Sequence, residues 1–430
     1  MDGQRLPGTS RRERVVAHVD MDCFYAACER RREPALRGEP LVVGMGYEPD
    51  ESHGAVATAS YEAREYGVES AMPISEALDL LPRNVEAAEA PDLDISDAGF
   101  YRPVDLDYYE SVAGEVKTIL QETAETVREV SIDEAYLDVT DVVEWDGARE
   151  WAATLKDRIE ASVGVVASVG LAPTMSAAKV ASDYDKPDGL VVVEPGEVRE
   201  FFAPLPVEDV HGVGPVTARE LATMGIETAG ELADADPELL ADAFGERGRE
   251  IRRFARGEDD RDVTPKGDPK SLSRESAFTE ATDDGETVRR RVRTLAEAVA
   301  DRAQRQEARY QTIGIKVVTP PFERNTRARS LPGPVEDPEL VESVALDLLE
   351  EFAETEIRKV GVRVSNLDFS AGQQASLDGF ESAGEESAEP TDSPDTEGQT
   401  DLGTFDGSTA ADGATRLDTM NGQTTLDEFR

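Results

Sequence analysis

Two adjacent carboxylates, Asp133 and Glu134, stand inside the run Ser131-Ile132-Asp133-Glu134-Ala135-Tyr136-Leu137-Asp138-Val139, which otherwise alternates like a strand. Neighbours on a strand point to opposite faces. Ile132, Glu134, Tyr136 and Asp138 then share one face, and Ser131, Asp133, Ala135, Leu137 and Val139 the other. Acids are costly to bury unless something positive compensates them. Two readings stay open at this point: a turn or strand end with solvated acids, or part of a metal site. A second acid-bearing stretch, Val15 to Asp22, reads as a buried strand ending in Asp20 and Asp22. A helix follows from Cys23 to Arg31, with Phe24, Ala27 and Cys28 on one face. That order leaves Asp20 at a sheet edge and free backbone N–H groups facing an anion. His18 reads as a packed or surface histidine rather than a ligand, since no second His or Cys lies at ligand spacing.

The elements that must position these acids alternate between strand and helix up to about residue 193. Leu41–Gly44 and Gly54–Ser60 read as short strands, Tyr61–Gly67 as a helical turn closed by glycine, and Ile74–Leu81 as a helix stopped by Pro82. Residues 105–127 read as one longer helix with Val112, Val116, Ile119 and Leu120 as its apolar stripe. Trp151–Val163 and residues 173–184 are further helices, with strands at Val165–Leu171 and Leu190–Val193 and a turn at Lys186-Pro187-Asp188-Gly189. This is a mixed α/β pattern around one central sheet.

Beyond it, residues 204–257 contain no clear strand. His211-Gly212-Val213-Gly214-Pro215, with Thr217, Met224-Gly225-Ile226 and an intervening helix, suits a helix-hairpin-helix whose exposed N–H groups grip a phosphate; an ordinary helical hairpin is the plain alternative. After a charged linker, residues 271–367 read β-α-β-β-α-β: strands at 271–277, 312–318, 326–330 and 360–364, helices at 286–309 and 337–353.

The chain has 430 residues, enough for several domains, and a formal net charge of -46 with 37 Arg against 8 Lys. Such acidity argues against nucleic-acid binding unless it is a solvent adaptation that spares the working surfaces. The distribution favours the second reading. Residues 271–367 carry 15 basic and 18 acidic side chains, whereas residues 368–430 carry 2 and 15. The spared segment holds Arg327 and Arg329, spaced to share a strand face, so a phosphate partner is expected there. Residues 368–422 lack core formers and read as disordered; the terminal Gln423-Thr424-Thr425-Leu426-Asp427-Glu428-Phe429-Arg430 ends that tether in a short apolar hook. Cys23 and Cys28 read as small buried residues in a reducing compartment. No apolar stretch suggests a secretion signal or a membrane span, so a soluble cytoplasmic protein is expected.

Taken in order, these motifs resemble the Y-family translesion DNA polymerases, on the DNA polymerase IV (DinB-like) branch, over roughly residues 14–367. Val19 to Ala26 resembles the first metal motif, Ala57 to Arg64 the finger motif, and Ser131 to Asp138 the second metal motif; Lys186 to Gly189 and the hairpin at 211–226 also fall in place. The terminal hook resembles a sliding-clamp (PCNA) interaction motif, with Arg430 where a second aromatic is common. The acidity resembles haloarchaeal proteins.

The resemblance implies a right-hand α/β (α+β palm) fold. Its parts would be a flexible leader (1–13), palm (14–23 and 100–193), fingers (24–99), a helical thumb with the helix-hairpin-helix (194–262), a linker (263–270), a little finger (271–367), the acidic tail (368–422) and the clamp-binding motif (423–430). It implies template-directed extension of a primer 3′ end by deoxynucleoside triphosphates, at low fidelity, past lesions and without proofreading, in DNA repair. Asp20, Asp133 and Glu134 would be catalytic and hold two Mg²⁺, assisted by the Met21 carbonyl; Asp22 and Asp138 resemble positions that are not direct ligands. Tyr25, Phe24, Thr58, Tyr61, Arg64 and Lys186 would bind the nucleotide, with Tyr25 as a steric gate against the 2′-hydroxyl. Ala55, Ala57 and Ser60 would form a small-residue roof over the templating pair. Gly212, Gly214, Thr217, Arg327 and Arg329 would contact primer-template DNA, and Gln423, Leu426 and Phe429 the clamp, in a protein acting as a monomer. The competing readings are a catalytically silent DNA- and clamp-binding factor, a deoxycytidyl-transferase-like variant, and a nucleotidyl-cyclase-like palm enzyme.

Overall fold

The computed structural model describes residues 13–47, 54–89 and 97–369. Nearly all of the expected leader and tail, and the hook with Gln423, Leu426 and Phe429, lie outside the described residues.

The apolar run at the start forms β1 (Val16–Met21), and α1 (Phe24–Arg32) follows after two residues. Next come β2 (Leu41–Gly44), β3 (Val56–Ala59), α2 (Tyr61–Glu65), α3 (Ile74–Leu80), α4 (Asn84–Glu89) and β4 (Phe100–Arg102). Strands β2, β3 and β4 make their own three-stranded sheet, in the order β3-β2-β4. The expected single sheet before residue 193 is therefore two. Val42, Val56, Ala59, Ile74 and Leu81 close a small separate core beneath the second sheet.

The chain continues with α5 (Leu106–Thr123), β5 (Thr126–Glu129), β6 (Glu134–Asp138), α6 (Ala148–Val163), β7 (Ala167–Ala172), α7 (Met175–Tyr184) and β8 (Leu190–Val192). The expected helix over 105–127 stops at Thr123, and the β-branched Thr126-Val127 opens a strand that pairs with β6 instead. The five-stranded sheet has the order β5-β6-β1-β7-β8, antiparallel except for β7 and β8. Strand β1 lies in its middle.

The strand period sorts the side chains of β1 cleanly. Ala17, Val19 and Met21 join the core beneath α5 and α6, with Val112, Val116, Leu155 and Ile159. Val16 joins the opposite core, beneath α7, with Tyr136, Ala177, Ala178 and Ala181. His18 and Asp20 have the parity of Val16 and so face α7. That helix is pressed hard against the sheet at Gly170, where an added Cβ would collide with the Ala178 carbonyl oxygen and the Ser182 nitrogen. Thr174 caps its N-terminus by accepting from Ala177 N.

The core beneath α7 runs on into an all-helical unit: α8 (Val198–Phe202), α9 (Pro215–Thr223), α10 (Ala229–Asp234), α11 (Pro237–Phe244) and α12 (Glu246–Ala255). The last unit holds β9 (Ser271–Thr282), α13 (Gly285–Arg305), β10 (Arg309–Thr319), β11 (Glu323–Val335), α14 (Pro338–Leu349) and β12 (Ile357–Asp368). Its antiparallel sheet has the order β11-β10-β12-β9, with Val292, Leu295, Val299, Val341 and Ala345 of the two helices packed on one face. This is the expected β-α-β-β-α-β order, with longer strands.

Candidate active site

Asp20 and Glu134 are direct cross-strand partners on β1 and β6. Asp133 is not in the strand. Residues 131–133 form a bend, fastened by Val130 N donating to the Glu134 carbonyl at 3.0 Å. The Ser131 hydroxyl accepts from the Asp133 and Glu134 nitrogens, at 3.2 and 3.1 Å, and bonds the Asp133 carboxylate. Strict alternation over 131–139 thus fails at its start. Ile132 enters the core with Ala135 and Leu137 rather than sharing a face with Glu134. The break in parity has a chemical result: neighbouring acids that a strand would send to opposite faces both come to the end of β1. Met21 N donates to the Asp133 carbonyl at 3.0 Å and ties the bend to β1.

Two lysines and a histidine meet these acids. Lys179 Nζ of α7 lies 2.8 Å from Glu134 Oε2, 3.1 Å from Asp20 Oδ2 and 3.4 Å from Asp183 Oδ2. Lys186 Nζ lies 2.7 Å from both Asp20 Oδ1 and Asp183 Oδ1. His18 is fully buried, with Nδ1 2.8 Å from Ser182 Oγ and Nε2 3.3 Å from Glu134 Oε2. Of the packed and surface positions expected for it, it takes the packed one, against the site: His18, Asp20 and Glu134 bring donor atoms within 4.8 Å of one another, a group that does not include Asp133. Of this ring only Lys186 was legible as a site residue. Lys179 and Asp183 sit at i and i+4 on α7, a pairing that periodicity treats as an ordinary solvated ion pair.

The electrostatics separate the two neighbouring acids. Burial pushes the Asp133 carboxyl up to about 6, helped by the charge of Asp20. Burial would raise Glu134 too, but the His18 ring nitrogen 3.3 Å away and the charge of Lys179 outweigh it and hold the carboxyl well below the usual range. For Lys179 burial opposes the charge, and Asp20, Glu134 and Asp183 overcome it, keeping the ammonium charged.

The remaining expected residues distribute unevenly. Asp22 is buried and saturated: it accepts from Ser168 Oγ at 2.9 Å, Asp188 N at 2.8 Å and Tyr61 Oη at 3.2 Å. Asp138 accepts from Thr140 N at 3.0 Å. Both acids hold turns together. Tyr25 is buried and stacked on Tyr109 with ring centres 4.5 Å apart, and its hydroxyl is buried without a hydrogen-bond partner. Arg64 Nε donates to the Ala59 carbonyl at 3.1 Å, and its guanidinium lies 4.8 Å over the Tyr61 ring. Thr58 is half-buried on β3, opposite Val43. The Phe24 side chain lies in the core, in the same cluster as Tyr25. Of the proposed small-residue roof, Ala55 and Ser60 are buried, and the Ser60 hydroxyl caps α2 and accepts from Leu41 N; Ala57 alone is part-exposed.

Gly212 takes φ +87°, a left-handed value suited to glycine, and its carbonyl accepts from Arg247 at 2.7 Å. Gly214 caps α9 with open space on its Cα. Thr217 is buried in the first turn of α9. Arg327 and Arg329 do share a face, but it is the helix-covered one. They pair across from Ile315 and Ile313 and form ion pairs with Glu351 and Asp347. The opposite, helix-free face carries Lys316, Arg324, Lys359 and Arg363 in register, together with Glu275 between Lys316 and Lys359, at 2.7 and 2.6 Å.

The donor set around Asp20 is carboxylate oxygen with the His18 nitrogen beside it, which fits a divalent cation. Among the described residues no helix is long and apolar enough to cross a membrane.

Comparison with known proteins agrees with this geometry. Residues 19–183 match the family model described as the impB/mucB/samB family, residues 195–226 its helix-hairpin-helix motif, and residues 269–377 its C-terminal domain. A DNA polymerase IV of Halobacterium salinarum is 64% identical over 379 residues, covering 88% of this chain and 91% of that protein. One from Methanoculleus marisnigri is 40% identical, covering 85% and 98%. Among solved structures, the Y-family DNA polymerase chimera Dbh-Dpo4(243-245)-Dbh superposes with a TM-score of 0.71 at 27% identity, covering 82% of this chain and 99% of that one. The insertion ternary complex of Dbh DNA polymerase gives 0.58 at the same identity, with the same coverage of both chains. The chain belongs to the impB/mucB/samB family, the Y-family translesion DNA polymerases, on their DNA polymerase IV branch.

Proposed function

We propose that the end of β1, the 131–133 bend and α7 form the nucleotidyl-transfer centre of this translesion DNA polymerase. The carrying observation is the register that sets Asp20 opposite Glu134, with the bend tying Asp133 to Met21 and bringing it close enough to feel the charge of Asp20. Asp20, Asp133 and Glu134, with the Met21 carbonyl, would hold two Mg²⁺, which when bound activate the primer hydroxyl and stabilise the charge on the transferring phosphate. Tyr61, Arg64 and Lys186 would orient the triphosphate, Arg64 through its planar fork and Lys186 as a point charge. Backbone N–H groups at the start of α1 add to that cradle. Tyr25, braced by Tyr109, would exclude a 2′-hydroxyl.

Residues 14–23 and 100–193 would then be the palm, 24–99 the fingers, 194–262 the thumb and 271–367 the little finger. Duplex DNA would be held by the Gly212–Gly214 turn and by the helix-free face with Lys316, Arg324, Lys359 and Arg363, which takes over the role first expected of Arg327 and Arg329. Gln423, Leu426 and Phe429 would dock on a PCNA-type sliding clamp. The test is primer extension with Mg²⁺ across undamaged and abasic templates, comparing the native chain with Asp133→Ala plus Glu134→Ala. Extension should disappear on both templates; a double variant that extends as well as the native chain removes the metal assignment.

A further inference from the structure

Both carboxylate oxygens of Asp20 and one of Glu134 are already bonded to ammonium groups. Lys179 bridges Asp20 Oδ2 and Glu134 Oε2 at 3.1 and 2.8 Å, and Lys186 takes Asp20 Oδ1 at 2.7 Å. A Mg²⁺ ion needs such oxygens at about 2.0–2.1 Å, in near-octahedral geometry. An ammonium and that ion cannot both use the Asp20–Glu134 pair. The charges point the same way: Lys179 and Lys186 already offset two of the three negative charges of Asp20, Glu134 and Asp183, which weakens the pull of the site on a divalent ion. Lys179 also has somewhere to go. Asp183, one helical turn further along α7, lies 3.4 Å from its Nζ and remains available when Asp20 and Glu134 change partner. The helix already lies directly against Gly170 and has no room to move closer to the sheet.

We propose that Lys179 is an internal counter-cation that competes with the divalent ion for Asp20 and Glu134 and holds the nucleotide-free site at low metal occupancy. This rests on the metal-site reading above. Lys179 is a positioning residue here: it keeps the two carboxylates together without metal and yields them when ion and nucleotide arrive together.

The measurement is Mn²⁺ binding to the full-length protein without nucleotide, read from the free-ion electron paramagnetic resonance signal at one fixed KCl concentration. Lys179→Met keeps the aliphatic stem and should bind its first Mn²⁺ at least tenfold tighter than the native chain, about 1.4 kcal/mol. Lys179→Arg keeps the charge and should bind close to the native affinity. Lys117→Met removes a positive charge on α5 that pairs with Glu129 and should leave the Mn²⁺ affinity unchanged. Thermal melting supplies an independent reading: Lys179→Met should melt lower than the native chain without metal and regain the difference with Mn²⁺. Equal or weaker Mn²⁺ affinity in Lys179→Met, or equal tightening in Lys179→Arg, overturns the proposal. The Asp133→Ala plus Glu134→Ala protein separates the two failures. If it keeps the native Mn²⁺ affinity, the metal-site reading has failed; if it loses Mn²⁺ while Lys179→Met stays at the native affinity, only the role of Lys179 has failed.

Discussion

Asp133 and Glu134 are adjacent in sequence and opposite in electrostatic situation. Glu134 has His18 and Lys179 beside it, whereas Asp133 has the Ser131 hydroxyl and the repulsion of Asp20. With its carboxyl pushed up to about 6 against an ordinary 3.8, the folded metal-free protein holds a proton that the unfolded chain releases. That contribution is present in full below about pH 4 and is lost as pH rises through about 6. Asp133→Asn mimics the protonated form. It should therefore be more stable than the native chain at pH 7.5 without metal, by up to about 3 kcal/mol before screening by salt. The gap should shrink by more than half at pH 4.5. Denaturant unfolding in chelator checks this, and a native chain more stable than Asp133→Asn at pH 7.5 would contradict it. The acidic motif itself was legible at this scale. The ring of Lys179, Asp183 and His18 was not, because those contacts join residues 45 to 164 positions apart, except for the pair within α7.

At the scale of elements, the site depends on how closely α7 approaches the sheet. Gly170 pairs with His18 across β7 and β1, and no side chain fits above it. Gly170→Ala should cost about 1–3 kcal/mol through overpacking. It should also lower primer extension more than the stability loss explains, since α7 carries Lys179. Gly114→Ala is the control: an added Cβ in mid-α5 meets nothing within 4 Å, and alanine favours helix. It should be neutral or slightly stabilising, with extension unchanged. Melting curves and extension assays on the two variants decide. Most helices and strands could be read from periodicity and caps, as at Ile74–Leu80 and Leu41–Gly44. Where reading failed, tertiary pairing had overridden it. Residues 126–129 extend an apolar stripe in sequence, yet they become a strand because β6 offers a partner edge.

For the whole molecule, an overall charge of -46 coexists with DNA polymerase chemistry because charge is allocated by surface. The C-terminal sheet keeps Lys316, Arg324, Lys359 and Arg363 on its helix-free face, and α13 carries six arginines against three acids. Phosphate contacts weaken steeply with salt, so a tether to a clamp gains importance as ionic strength rises. Removing residues 423–430 should abolish stimulation by a PCNA-type clamp and leave distributive synthesis on short primers intact. Extension assays with and without clamp, across a KCl series, measure this. Undiminished clamp stimulation in the shortened chain would remove the role assigned to Leu426 and Phe429.

Sequence alone determined the order of units, the acids at two strand ends and the helix-hairpin-helix, because each is written in neighbouring residues. Asp20 at a strand end and the Asp133-Glu134 pair needed no fold to be noticed. Tertiary structure decided parity and partners. Ser131 fastens the bend that precedes Glu134; α7 delivers Lys179 against Glu134 and Asp20; β11 presents Arg327 and Arg329 to α14 and its end. Each of these outcomes is set by a register or a close approach between segments distant along the chain, and a local pattern of residue types carries no record of either.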